Sequence, residues 1–229
     1  TVRAGDPLAT AAPFKTSPTI DGKIEPGEWD QAVRTGPLMS VKKIEIEARD
    51  AAAWVGFDKD KLYLAVRSEL RPGGLKAEKK FNDGRVVFDS AIEIWIDPNR
   101  DNRKAGEGDL SYYQIIGNSL GTKKDVKFSL GAPDIGWNIS GEFENHVDEE
   151  AGAWTAEMSI PWSDLGWDDG VKLGRSIGLI IARDFKSPWN QPTWMPCTQA
   201  FASVGAYPAL RLTEAEPVVR IEKLQHNTF

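Results

Sequence analysis

The side chains best placed to do chemistry in this sequence are aromatics and amides, not nucleophiles. The 229-residue chain carries nine Trp, nine Phe and four Tyr, more than one hydrophobic core of this size requires, so some must lie at the surface. Trp189 is the clearest candidate. It sits in Phe185-Lys186-Ser187-Pro188-Trp189-Asn190-Gln191-Pro192, a loop bracketed by prolines with Asn190 and Gln191 alongside. Sugars offer flat C–H faces to aromatic rings, and their hydroxyls take planar partners such as amides, carboxylates and guanidinium groups. Two readings of Trp189 are open, an exposed binder or an anchor that folds the loop back onto the protein.

Enzyme chemistry is harder to assemble. Gly174-Arg175-Ser176-Ile177-Gly178 matches G-x-S-x-G, but a nucleophile elbow needs a strand before the serine and a helix after it. Here a Gly-rich turn precedes the serine and an apolar strand, Ile177–Ala182, follows it. His146 and His226 are the only histidines, and neither has the setting of a triad base. With 34 acidic residues some carboxylate pair could always be drawn at glycosidase spacing, so the count carries no information. The chain reads as non-catalytic, with no organic cofactor.

The net charge of −6 argues against a nucleic-acid partner, which would need clustered Lys and Arg. No apolar run approaches the length of a membrane span. Cys197 is the single cysteine, so no intrachain disulfide and no cysteine cluster for zinc can form.

Positioning these groups falls to short strands. In Ala153–Trp167, Trp154, Ala156, Met158 and Ile160 occupy one face of a two-residue period, and Thr155, Glu157 and Ser159 occupy the other. Pro161 ends the ladder, and Ser163 with Asp164 is expected to cap a single helical turn. Asp89-Ser90-Ala91-Ile92-Glu93-Ile94-Trp95-Ile96-Asp97-Pro98 has the same grammar, with Ile92, Ile94 and Ile96 opposite Glu93, Trp95 and Asp97. Trp54–Asp58 and Leu62–Val66 form a hairpin around Lys59-Asp60-Lys61. Near the N-terminus Ile20-Asp21-Gly22-Lys23-Ile24 is followed by Trp29.

Taken in order, these four segments resemble the family 9 carbohydrate-binding modules and their relatives, over roughly Phe14 to Leu212. The resemblance implies a stacking aromatic shortly before the last strand, which falls on Phe201. It implies a second aromatic before the D-S-x-E-like segment, where only Phe81 and Phe88 are present. Glu93 and Gln114 correspond to polar sugar contacts; alternatively Glu93 pairs with Arg67 or Arg183, and Gln114 bonds within the sheet. Glu69 and Asp89 match the acids of a structural calcium site, and hard oxygen ligands suit that ion.

The expected fold is all-β, a single-domain antiparallel β-sandwich of jelly-roll or immunoglobulin-like form. Residues 14–215 would form the sandwich, 1–13 an arm or linker, and 216–229 a linker or an extra strand. The resemblance implies mono-, oligo- or polysaccharide ligands, a tethered catalytic domain, and a secreted or periplasmic setting. Two rivals remain: a structural spacer that has lost sugar binding, and a haem-binding relative using Met39, Met158, Met195 or His146.

Overall fold

The computed structural model describes residues 8–41, 45–70, 73–100, 111–197 and 199–220, with the side chain of Arg220 excepted. Two sheets face each other. The larger runs in the order β14 (Val218–Arg220), β1 (Leu8–Ala11), β13 (Ala209–Leu212), β11 (Ser176–Lys186), β5 (Ala91–Asp97), β6 (Tyr112–Asn118), β7 (Lys123–Ser129) and β8 (Ala132–Asp134), and β12 (Trp189–Asn190) pairs with the end of β11. The smaller runs β2 (Val33–Thr35), β3 (Ala51–Phe57), β4 (Lys61–Glu69), β10 (Ala153–Pro161) and β9 (Phe143–Asp148). Pairings are antiparallel except β1 with β13. This is the expected all-β sandwich.

The alternation read from the sequence sorts residues correctly. Ile92, Ile94 and Ile96 of β5 join Ile177, Leu179 and Ile181 of β11 and Trp154, Ala156, Met158 and Ile160 of β10 in one core between the sheets. Opposite residues on antiparallel strands share a face. Glu93, Trp95 and Asp97 therefore lie on the outer face of the larger sheet, as do Gln114 and Ile116 of β6 and Asp184 and Lys186 of β11.

That outer face is itself largely covered. Val86 and Val87 pack on Ala91 and Ile116, while Cys197, Val204 and Tyr207 pack on Trp95, Ile180 and Ala182. On the opposite side of the molecule the segment from Phe14 to Ala32 covers the smaller sheet, with Phe14 and Trp29 against Tyr63 and Ala65. Gly22 turns there with φ of 87°, and a Cβ at that position would lie 2.6 Å from the Asn145 backbone, so glycine is required on both counts.

Two sequence expectations need correction, and one alternative is decided. Leu8–Ala11 is not an arm: Ala9 and Ala11 are fully buried in the main core, where their small side chains suit a strand inserted between β13 and β14. Val218–Arg220 forms the extra strand, beside β1; residues 1–7 and 221–229 lie outside the described set. The single turn at Ser163–Leu165 forms, but no side chain caps it, and Asp164 instead accepts from the Ser140 backbone N–H and hydroxyl.

Met158 and Met195 are buried in the main core between the sheets. Ser176 opens β11 rather than following a strand, the reverse of a nucleophile elbow.

Candidate functional site

Between the two covering segments the outer face of the larger sheet presents a polar cluster built on β5, β6 and β11. Glu93 pairs with Ala182 in the ladder, which places Asp184 diagonally beside it, and Gln114 approaches from β6 in the same way. Glu93 Oε1 accepts from Trp95 Nε1 at 2.7 Å and from Gln114 Nε2 at 2.6 Å. Gln191 Nε2 donates to Asp184 Oδ1 at 2.9 Å and reaches Glu93 Oε2 at 3.5 Å. Both carboxyl groups are buried. Burial, followed by the neighbouring Asp184 charge, pushes Glu93 up to about 8 despite the Gln114 and Trp95 donors. Burial also raises Asp184, against the pull of Lys186 and Gln191.

Lys186 links this cluster to two exposed rings. Its ammonium donates to the Val87 carbonyl at 2.6 Å and stands 4.0 Å from Asp184 Oδ2. Trp189 is its register partner across the β11–β12 hairpin, so the indole lies on the same outer face, 66% exposed. Phe88 follows Val87 in sequence and is 65% exposed. Lys186 thus has Trp189 beside it and, through the Val87 carbonyl, is tied to the turn that carries Phe88, with the Asp184 carboxyl next to it. Such an arrangement can stack an apolar ring face and hydrogen-bond its hydroxyls.

The hairpin carrying Trp189 is held from behind. Asn190 pairs with Phe185 and so faces inward, where its amide donates to Ser40 Oγ at 2.9 Å and to Glu47 Oε2. Glu47 takes a two-point contact from Arg49, at 2.7 and 3.1 Å, and Arg49 Nη1 donates to the Pro188 carbonyl at 3.0 Å. The Arg49 guanidinium also lies 3.6 Å over the Phe185 ring.

Of the sequence candidates, Glu93 and Gln114 meet directly, Trp189 lies on the same face beside Lys186, and exposed Phe88 follows the Val87 carbonyl that Lys186 holds. Phe81 is exposed but tied near β7, since Asp83 N donates to Lys123 O and Lys123 N to Asn82 Oδ1, three strands from Lys186. Phe201 is half-buried on the Trp95 and Tyr207 cluster, and its carbonyl accepts from the Tyr207 hydroxyl at 2.6 Å. Asn190 supports the loop from its inner side. Neither arginine considered for Glu93 reaches it: Arg67 binds Asp50, and Arg183 lies between the sheets, bonded to Ser68 Oγ and stacked on Trp154.

Asp184 and Lys186 are not among the sequence candidates, and Gln191 enters only as an amide beside Trp189. The two-residue alternation along 177–186 would have put Asp184 and Lys186 on the face of Glu93 had the β5–β11 pairing been known. Beyond them, Tyr112 and Phe128 stack at 4.7 Å beside Trp95 on the same face.

For a metal, Asp89 and Glu69 are already engaged by protein donors. Asp89 is buried and accepts from Glu78 N, Lys79 N and Asn118 Nδ2, and Glu69 accepts from Asp50 N. Among the described residues no three His, Cys, Asp or Glu side chains converge.

No protein-family profile and no curated protein matches the sequence. Solved structures do match the fold. A candidate carbohydrate-binding protein from Bacteroides uniformis superposes with a TM-score of 0.68 at 16% identity, over 90% of this chain and 99% of that one. A family 9 carbohydrate-binding module from Caldicellulosiruptor kristjanssonii in complex with glucose gives 0.61 at 12% identity, over 91% and 97%. Its complex with cellotriose gives 0.61 at 13%, over 91% and 95%. At these identities the likeness establishes a fold like that of the family 9 modules across nearly the whole chain.

Proposed function

We propose that this chain is a non-catalytic carbohydrate-binding module that holds a mono-, oligo- or polysaccharide on the outer face of its larger sheet. The observation that carries the reading is Trp189, an indole 66% exposed beside Lys186, Gln191 and the buried Glu93–Asp184 pair. An indole on rigid backbone with polar groups beside it is costly to leave in water and well suited to a sugar ring. The neighbours in complex with glucose and cellotriose support saccharides as the ligand class. In this role Trp189 and Phe88 stack, while Gln191, Gln114 and Lys186 meet hydroxyls.

The proposal extends, through the resemblance alone, to a tethered catalytic domain and a secreted or periplasmic setting. There, anchoring would raise the substrate concentration seen by the enzyme, so weak binding suffices. Calorimetric titration against glucose, galactose, xylose and their β-linked oligomers tests the reading. Saturable heat that disappears in Trp189→Ala supports it; a folded protein silent toward the whole panel favours a spacer domain.

A further inference from the structure

Glu93 and Asp184 are two acids on adjacent strands, both without appreciable exposed surface, and Asp184 Oδ2 has no hydrogen-bond donor from any described residue. Two carboxylates cannot both stay ionised at such a place at modest cost, whereas one proton between them supplies the missing donor: protonated Glu93 gives its O–H to Asp184. The other charged groups nearby are few. Lys186, 4.0 Å from Asp184 Oδ2, is on the same face, and Arg183 lies on the opposite face of β11, turned to Ser68. β6 contributes the neutral Gln114, and the segment after β12 the neutral Gln191; the Tyr112 phenol lies beyond Trp95. The turn that ends at Phe88 contributes the Val87 carbonyl.

We infer that Glu93 and Asp184 form one proton-sharing carboxyl pair, and that Asp184 is a positioning residue whose loss of that shared proton weakens ligand binding at alkaline pH. This rests on the sugar-site reading. The Gln114 and Gln191 amides both aim their NH2 groups down at the pair, so their carbonyl oxygens turn away from it, as acceptors for ligand hydroxyls. With the proton in place the pair carries one charge, balanced by Lys186. Removing it puts two charges side by side, and Lys186 is the ammonium within reach. Drawn toward the pair, Lys186 releases Val87 O, and the turn that carries Phe88 loses its tie. Burial and the Asp184 charge put the proton loss at a pH of about 8.

The test has two arms on the intact chain. Carbon-13 NMR of the side-chain carboxyls in the ligand-free protein should show one Glu carboxyl titrating near pH 8, moved to lower pH in Asp184→Asn. Affinity for whichever panel sugar binds should fall above that pH by about tenfold per pH unit, as loss of one required proton demands. In Asp184→Asn, and in Glu93→Gln as a second variant that keeps a donor toward Asp184, the alkaline fall should vanish whatever the affinity at neutral pH. Carboxyls that all titrate below pH 6, or a variant profile that tracks the parent, would overturn the inference. A Glu titrating near pH 8 in a protein that binds no sugar at any pH would retain the pair and overturn the sugar-site reading instead.

Discussion

Trp29 Nε1 donates to Glu157 Oε1 over 2.9 Å. The other oxygen of the same carboxylate accepts from the backbone N–H groups of Asp21 and Gly22, at 3.1 and 2.9 Å. Two of the sequence segments that carry the family resemblance, Ile20-Asp21-Gly22 with Trp29 and the strand containing Glu157, thus meet at one buried acid far from the candidate site. The contact fastens the N-terminal segment to the smaller sheet, and Thr155 Oγ1 adds a bond to Gly22 O at 2.5 Å.

Glu157→Ala should therefore destabilise the fold by about 3 kcal/mol, since it strands the buried Trp29 and Gly22 donors and the part-buried Asp21 N–H. Glu157→Gln, which keeps one acceptor, should cost roughly half as much. Urea denaturation followed by tryptophan fluorescence measures both, and sugar affinity should not change in either folded variant.

Stability should also fall as the solution turns alkaline. Burial, with a smaller push from Glu28, raises Glu157 to about 7 against its Trp29, Asp21 and Gly22 donors, and burial with Asp184 raises Glu93 to about 8. Both folded values exceed the unfolded one of 4.5, so the folded chain binds the extra protons. The stability they contribute is complete below about 4.5 and lost as pH rises through about 7 and then about 8. Glu47 and Asp58 act in the other direction. Burial pushes each up, but the Arg49 and Asn190 donors on Glu47, and Ser17, Tyr63 and backbone N–H donors on Asp58, hold both below their usual values. Their contribution is lost on acidification. The urea midpoint should drop between about pH 4.5 and pH 8, less steeply below about pH 7 in Glu157→Gln; an unchanged midpoint would contradict the burial argument.

Trp189→Ala and Phe201→Ala should separate cleanly. The exposed Trp189 should cost binding at least about tenfold, ~1.4 kcal/mol, with little change in Tm. The half-buried Phe201 should instead cost ~1–2 kcal/mol of stability through lost packing on Trp95 and Tyr207. Thermal melts and titrations of the two variants check this, and the opposite pattern would return Phe201 to the ligand.

Asp89 provides a test of the calcium expectation. Its carboxylate ties Glu78, Lys79 and Asn118 together, so Asp89→Ala should destabilise the chain by about 3 kcal/mol. Because those donors come from the protein, excess EDTA should leave Tm unchanged. A fall reversed by added calcium, and absent in Glu69→Gln, would place the ion at Asp89 and Glu69.

The amino-acid sequence by itself determined the fold class and the two faces of the principal strands. Side-chain alternation is a local property, and it sorted Ile92, Ile94 and Ile96 from Glu93 and Trp95 without knowledge of any partner strand. Tertiary structure alone decided which outer-face residues stay open. That depends on strand order and on where the segments around Val86 and Val204 come to rest, so Phe201 is partly covered while Trp189 and Phe88 are not. It decided the parity of the β11–β12 hairpin too, turning Trp189 and Gln191 outward and Asn190 inward. Above all it brought Asp184 beside Glu93. A β5–β11 ladder joins residues remote in sequence, and the proton they share is a property of their adjacency and burial, not of either residue type.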